Sequence, residues 1–388
     1  MTDGRRRRKA KQARRDARRR AVHNGSAPAD SWLDMMRELL ATECAASMLL
    51  TAGQLVEMSK PHWTAKFKRD AQEPLDLARL VTLLVEWREP EFTVLLAALG
   101  ELLVDEPEQQ RRCRREVAQR GHPLPEWLAR LVDAQIYRVV RLADVLGDRD
   151  DLVLGVRLSD GREFVCIATM DHVRCSAVSE ISVCGDTPMD EVLSRMAEDA
   201  DPDSRFVEMS AADARAWLAY GVREPVLAFF SDQASGGRAL FEWLRTLMPE
   251  GGRQYQLPGA DWDATEALLD TFFTSPQGAR FAGGADHREL LSELVDSGSG
   301  DPLRWSAFRV DHALGALYFD DVWSSDAAPE APELLRAFIP VAHALSGIRA
   351  DLTDRALTAV DEAEPAFRQR IAAARRQRDD DEDWGWSA

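Results

Sequence analysis

Residues 152–170 have the sequence LVLGVRLSDGREFVCIATM, and this stretch decides the fold. Apolar side chains occupy alternate positions over residues 152–158 and again over 164–168, which is the period-two pattern of β-strands. Asp160 and Gly161 lie between the two runs. An Asp-Gly pair between alternating runs is the strongest short-range hairpin signal, because glycine adopts positive φ without strain. The stretch therefore predicts an antiparallel hairpin.

The strand pattern continues on both sides of this hairpin. A third alternating run begins at residue 135, and the turn at 147–150 connects it to the hairpin. The sequence therefore predicts a three-stranded antiparallel meander over residues 135–170, with weaker strand patterns at 178–183 and 205–209. A sheet this small needs cover from helices on at least one face.

Helical spacing of apolar residues precedes and follows the meander, and the first helical pattern covers residues 32–58. We therefore predict an α+β fold that is mostly helical, with a small antiparallel β-meander packed by helices. The predicted units are a disordered basic arm and linker (1–29), a helical domain (30–132), an α+β domain with the meander (133–260), a helical domain (261–375) and an acidic, tryptophan-containing tail (376–388).

The charge of the 388-residue chain is unevenly distributed. Residues 1–20 contain eleven cations and two carboxylates, a net charge of +9, so the remainder carries −26 of the total of −17. An odd count of five cysteines does not fit a secreted disulfide framework, and residues 21–30 lack the apolar core of a signal peptide. No apolar run approaches the ~18–20 residues that span a bilayer. A cytoplasmic protein without a membrane partner is the expectation.

The basic arm is a candidate contact surface for RNA, DNA, the ribosome or another polyanion. It contains no aromatic residue, so it has no stacking platform and little sequence selectivity. The alternative is an arm that only solubilises the chain or folds back onto the acidic remainder. The candidate contact residues are Arg5, Arg6, Arg7, Arg8, Lys9, Lys11, Arg14, Arg15, Arg18, Arg19 and Arg20.

The opposite end of the chain has the inverse charge. An acidic run at residues 379–383 precedes Trp384 and Trp386, and like charges in a block favour a mobile tail. Exposed aromatic residues in such a tail are typical of a short docking motif for a protein partner. The alternative is that the two tryptophans attach the tail to the folded body.

Catalytic signatures are sparse. Asp171 and His172 follow the third predicted strand and are weak candidates for acid–base chemistry, since adjacent strand residues point to opposite faces and do not form a dyad. Asp148, Asp150 and Asp151 are interpreted as solvated turn residues. We therefore predict no catalytic residue beyond that weak pair.

The cysteines do not predict a metal site. Cys166, Cys175 and Cys184 are nine residues apart, whereas zinc ligands come in pairs two to four residues apart. Cys166 belongs to an alternating strand and is expected to be a small buried hydrophobe. The sequence contains no phosphate-binding loop or dinucleotide-binding pattern. No metal and no cofactor are predicted.

Six stretches in this order resemble a group of uncharacterised actinobacterial proteins of unknown function, with helical ends around a small β-meander. In that group Asn and glycines tend to follow the Asp-His pair, whereas Val173 follows it here. The resemblance implies one evolutionary unit in a bacterial cytoplasm, and no activity. The stretches are residues 41–47, 146–148, 170–172, 301–306, 334–338 and 360–362.

Three functional hypotheses follow from the sequence. The first is a non-enzymatic binding or adaptor protein, with the basic arm for a polyanion and the acidic tail for a protein partner. The second is an enzyme of unknown type with a site near Asp171 and His172. The third is a structural or oligomerising module.

Overall fold

One five-stranded antiparallel sheet lies at the centre of the computed structural model, which describes residues 31–59, 76–223, 237–257, 261–283, 285–315 and 327–385, with side chains up to residue 376. The strands are β1 (Gln135–Ala143), β2 (Arg149–Arg157), β3 (Glu163–Asp171), β4 (Ala177–Gly185) and β5 (Arg205–Met209). Their order is β4-β3-β2-β1-β5. The predicted α+β class and antiparallel meander are confirmed, and the weaker patterns at 178–183 and 205–209 also form strands.

The predicted hairpin fixes the register of the sheet. Arg157 pairs with Glu163, and the pairing continues residue by residue to Arg149 and Asp171. Gly161 has a φ of 88° in the turn, as the Asp-Gly signal requires. This register decides which side chains of β2 and β3 share a face.

Helices cover both faces of the sheet. Leu152, Leu154 and Val156 alternate along β2, share one face and belong to a large core that the N-terminal helices share. Val153 on the other face packs with Met189 and its neighbours on the helix that follows β4. Burial of both faces explains why β2 is apolar at nearly every central position.

Six α-helices precede the sheet within the described residues. The single helix predicted over 32–58 is two helices, because residues 42–44 interrupt it and Glu43 has a φ of 54°. Thr42 also turns its hydroxyl back to the Leu39 carbonyl, which competes with helix continuation. These helices are α1 (31–41), α2 (Ala45–Met58), α3 (Leu77–Glu86), α4 (Pro90–Leu102), α5 (Pro107–Arg120) and α6 (Glu126–Ala129).

A second core, from Leu269 to Ile371, lies in the C-terminal helices. The first core runs from Met36 to Tyr255. The domain boundary predicted between residues 132 and 133 therefore lies within the first core. The boundary predicted between residues 260 and 261 lies between the first core and the second core. The helices after β4 are α7 (Met189–Asp199), α8 (Ala211–Gly221), α9 (Arg238–Thr246), α10 (Trp262–Thr274), α11 (Ala285–Asp296), α12 (Ala307–Gly315), α13 (Ala331–Ser346) and α14 (Ala350–Gly385).

Helix α14 extends into the residues predicted to form the acidic tail (376–388). It continues to Gly385 and passes through Pro365. Proline removes one backbone donor, and here the packing of Val360 and Phe367 into the second core holds the helix on both sides of it. Among the described residues, no helix has the length and apolar character needed to cross a membrane.

Candidate functional site

The structure describes only some of the residues that the sequence singled out. The eleven cations of the basic arm and Trp386 lie outside the described residues. The backbone of Trp384 belongs to helix α14, but its side chain lies outside the described residues. Asp171 and His172 are described fully, at the end of β3.

His172 contacts a carboxylate, but not that of Asp171. Its Nε2 lies 3.1 Å from Asp150 Oδ2, and both residues are buried. Asp150 pairs with Met170 across β2 and β3, so Asp150 and His172 occupy diagonal positions on one face. The interpretation of Asp150 as a solvated turn residue was wrong, because β2 already begins at Arg149 and directs Asp150 inward.

The other imidazole nitrogen of His172 contacts two hydroxyl groups. His172 Nδ1 lies 2.8 Å from the Tyr255 hydroxyl and 3.0 Å from Ser176 Oγ, and Ser176 donates to Tyr255 over 2.8 Å. Because Ser176 donates to Tyr255, the Tyr255 hydroxyl donates to His172 Nδ1, and Nε2 then donates to the Asp150 carboxylate. The hydrogen bonds then run in one direction, from Ser176 to Tyr255, His172 and Asp150. We call these four residues the His172 network.

Burial keeps the tyrosine of this network protonated. Desolvation raises the pKa of Tyr255 to about 12, so its hydroxyl remains a neutral donor to His172 near pH 7. The two rings stack with an interplanar angle of 3° and centroids 5.5 Å apart. Both the ring contact and the hydrogen bond fix the segment around Tyr255 against the end of the sheet.

Ser176 enters the network through an unusual turn. Cys175 and Ser176 have φ values of 57° and 55°, a conformation that non-glycine residues rarely adopt. The turn exposes Cys175 and buries Ser176 completely. Helix α8 closes over it at Gly221, where a Cβ atom would lie 3.2 Å from the Ser176 carbonyl oxygen and 2.8 Å from Val178 Cγ2. Backbone strain of this kind persists where the surroundings over-determine a position.

Asp171 belongs to the same turn but has a different role. Its Oδ1 accepts the Arg174 backbone N–H over 3.0 Å, so Asp171 closes the turn after β3. The Arg174 guanidinium then lies 5.4 Å from the ring centroid of Phe308 on α12. As the strand geometry predicts, Asp171 and His172 do not form a dyad.

Asp148 lies beside the His172 network, in the turn between β1 and β2. Its backbone carbonyl accepts the His172 N–H over 2.8 Å. Burial raises the pKa of its carboxyl group to about 6, although Ser306 donates a hydrogen bond to it. Asp148 Oδ1 is buried and finds no hydrogen-bond partner among the described residues. Asp148 was predicted to be solvated, and this was wrong because the turn docks on the C-terminal core.

Arg309 lies opposite that turn and is completely buried. Its guanidinium donates to three backbone carbonyls, those of Val295, Asp301 and Arg304. Burial lowers the pKa of Arg309 to about 10, and the negative charges of Asp301 and Asp148 partly offset that effect. Arg309 therefore holds together the backbone before α12 by these hydrogen bonds. Its positive charge also acts on the Asp148 carboxyl group.

Three of the stretches that carry the family resemblance meet at this junction. Residues 146–148 form the β1–β2 turn, 170–172 end β3, and 301–306 form the loop before α12. A Cβ atom on Gly147 would lie 3.6 Å from Arg304 Cδ, and Asp148 bonds Ser306. The junction joins the sheet to the C-terminal core.

A cleft of about 720 Å³ opens beside the His172 network. Tyr255 lines it together with Tyr220, Trp262 and two carboxylates, Asp261 and Asp263. The other three members of the network are buried behind Tyr255. A molecule in the cleft would therefore meet the network at the tyrosine, through which a proton could pass to His172 and Asp150.

The cysteines and the other metal-ligating residue types do not form a second candidate site within the described residues. Cys166 is completely buried, as predicted, and burial raises its pKa far above the usual range. All five cysteines are free thiols. Within the part of the chain that the structure describes, no group of three His, Cys, Asp or Glu side chains is placed to hold a metal ion.

Comparisons of this chain with protein-family models, with curated proteins and with solved structures gave no match. The resemblance to the actinobacterial group therefore stays a prediction.

Sequence reasoning missed Asp150, Ser176 and Tyr255. The hairpin register contains a signal for the first, since a turn centred on Asp160 and Gly161 places Asp150 opposite Met170, two residues before His172. Tyr255 is 83 residues from His172, and no local pattern connects them.

Proposed function

We propose that this protein is a non-enzymatic binding or adaptor protein that binds nucleic acid or another polyanion through the basic arm. The observation that carries the proposal is the separation of charge, +9 in residues 1–20 against −26 in the rest. Arginine and lysine neutralise phosphates and release their counterions, which supplies sequence-independent affinity. The acidic end with Trp384 and Trp386 is proposed to dock a protein partner.

Ion pairs of the folded body support the proposal that polyanions bind the basic arm and not the folded body. Arg138 lies 2.7 Å from Asp190 and 2.6 Å from Glu208, so two carboxylates share its guanidinium. Arg349 pairs with Asp201 and Asp203 in the same way. A phosphate approaching either arginine would have to displace carboxylates of the protein itself. The arm carries cations with few carboxylates beside them, which makes it the favoured contact for a polyanion.

The His172 network supports a structural role rather than chemistry at its centre. Ser176, the potential nucleophile, is completely buried, and its hydroxyl already donates to Tyr255. Each donor in the network has its acceptor inside the protein. A fully satisfied buried network of this kind fixes one arrangement of the surrounding segments.

Salt-dependent binding of the full-length chain tests the proposal. RNA, DNA duplexes and ribosomes are titrated with the wild-type protein and with a variant in which Arg5, Arg6, Arg7 and Arg8 are replaced by Gln. If about six phosphates are contacted, wild-type affinity falls roughly a thousandfold between 50 and 200 mM salt. The variant is expected to bind more weakly and with a shallower salt dependence.

A matched variant controls for net charge. Arg88, Arg130, Arg195 and Arg253 are exposed arginines of the folded body, and replacing all four by Gln changes the net charge equally. This control is expected to bind like wild type. No binding at low salt, or an equal loss in both variants, would refute polyanion binding by the arm.

The acidic end needs a separate experiment. Full-length protein with Trp384→Ala and Trp386→Ala is used as bait in a pull-down beside wild type and a Trp262→Ala control, since Trp262 is an exposed tryptophan of the folded body. Loss of a specific partner in the double variant alone supports docking by the tryptophans. Identical recovery by all three baits contradicts it.

A second candidate function is general acid–base catalysis at the cleft, favoured by the hydrogen-bonded line from Tyr255 through His172 to Asp150. Wild type and Tyr255→Phe are assayed against a panel of activated esters, with thermal unfolding to confirm that the variant folds. Turnover that requires the Tyr255 hydroxyl supports an enzyme. Equal rates for both proteins would refute it.

A further inference from the structure

A second cavity, of about 460 Å³, lies between the N-terminal helices and the segment before α6. Eight of its eleven lining residues are apolar. Met48 and Trp127 are almost completely buried and form its inner wall. Arg162 and Glu43, whose side chains are 37% and 80% exposed, lie at its outer end. Ligand sites are typically of this size and mostly apolar, with a few polar groups that fix orientation.

Local backbone features keep this cavity open. The chain breaks between α1 and α2 at residues 42–44, where Glu43 has a positive φ. On the opposite side α5 ends at Gly121 in the left-handed conformation, and residues 121–125, with Pro123 and Pro125, are not helical. Neither segment continues a helix across the gap, so the apolar side chains on both sides face a space instead of each other.

Arg162 places a positive charge at one end of the cavity, and its guanidinium nitrogens lie at different distances from their acceptors. Its Nη1 donates to the Glu43 carbonyl over 2.6 Å, and its Nε lies 3.2 Å from Asp160 Oδ2. Its Nη2 is 4.0 Å from the exposed Glu43 carboxylate, which is the weakest of these contacts. A carboxylate held by the cavity could replace Glu43 at Nη2 while the contact with Asp160 remains.

We propose that this cavity binds a small amphiphile, with its apolar chain or ring against Met48 and Trp127 and its carboxylate on Arg162. The site is independent of the proposed polyanion binding by the arm. The apolar wall supplies affinity through burial of the chain, and the guanidinium orients the molecule.

Cysteine alkylation of the full-length protein tests occupancy. Cys44 lines the cavity and is half-buried, whereas Cys175 is exposed in the turn after β3. Iodoacetamide labelling is followed by mass spectrometry with and without dodecanoate. Dodecanoate is expected to slow labelling of Cys44 and to leave Cys175 unchanged. Equal effects on both thiols, or none on either, would overturn the proposal.

Variants test the two ends of the site by calorimetric titration. Leu124→Trp, in the cavity wall, is expected to abolish binding of dodecanoate and dodecanol. Arg162→Gln is expected to weaken dodecanoate about tenfold and leave dodecanol unchanged, and Arg130→Gln is the control because Arg130 also forms an exposed ion pair. Wild-type dodecanoate affinity in Arg162→Gln would overturn the assignment of the carboxylate. Thermal unfolding confirms that each variant is folded.

Discussion

Replacement of Asp148 by Asn should stabilise this protein at neutral pH. The carboxyl group is held in the β1–β2 turn beside the Asp144 carboxylate, and burial is the main reason why its pKa rises from 3.8 to about 6. Asparagine has the same shape and still accepts from Ser306 through its carbonyl oxygen. The His172 N–H bonds the backbone of residue 148, so that contact is unchanged.

The magnitude follows from proton linkage. Between the unfolded and folded pKa values the folded protein binds more protons at Asp148, so this group's stabilising contribution is present at low pH and is lost as pH rises through 6. A difference of about two pKa units corresponds to about 3 kcal/mol of unfolding free energy. Asp148→Asn should therefore gain up to about 3 kcal/mol above pH 7 and about half of that at pH 5.

Urea denaturation at pH 5 and pH 8 measures this gain. Asp190→Asn is the matched control, since Asp190 is 88% exposed and pairs with Arg138 at the surface, where an ion pair contributes about 0–1 kcal/mol. The pH dependence of every other group cancels in the difference between Asp148→Asn and wild type. A loss of stability at pH 8, or a gain of equal size at both pH values, would refute the burial argument. The first result would mean that the Asp148 charge is needed to compensate Arg309.

Three further predictions concern other buried positions. Burial lowers the pKa of His343 from 6.5 to about 4, so the stability of the C-terminal core should fall by up to about 3 kcal/mol as pH decreases from 7 to 4, which hydrogen exchange of α13 measures. Tyr255→Phe removes the donor to His172 and should cost about 1–3 kcal/mol in chemical denaturation; no loss would mean that the network contributes nothing. Gly155→Val should lower the melting temperature sharply, because a Cβ there lies 2.7 Å from Tyr137 Cζ, and an unchanged value would contradict this packing.

The sheet shows how far sequence patterns extend. Alternation over residues 152–158 and 164–168 predicted the two strands, and the Asp160–Gly161 pair predicted the hairpin that joins them; both predictions are confirmed. These features depend on residues close together in the chain. Proline locally disfavours a helix, yet α14 continues through Pro365 because its side chains pack into the second core.

The candidate site shows where such patterns stop. Asp150 and Asp148 have the composition of a solvated turn, and nothing near them in sequence indicates that Asp150 contacts the buried His172 or that Asp148 is desolvated near the Arg309 charge. Whether a carboxylate is hydrated or buried depends on what packs against it, and that partner comes from a distant segment.

The sequence by itself determined the α+β class, the central hairpin and the separation of charge, because each follows from residue types at short spacing. Only the tertiary structure decided that His172 bonds Asp150 and Tyr255, and that the Asp148 turn docks beside Arg309. The groups involved lie up to 161 residues apart in the chain, as Asp148 and Arg309 do. The pKa shifts of these two groups arise mainly from desolvation, which begins only when the chain folds.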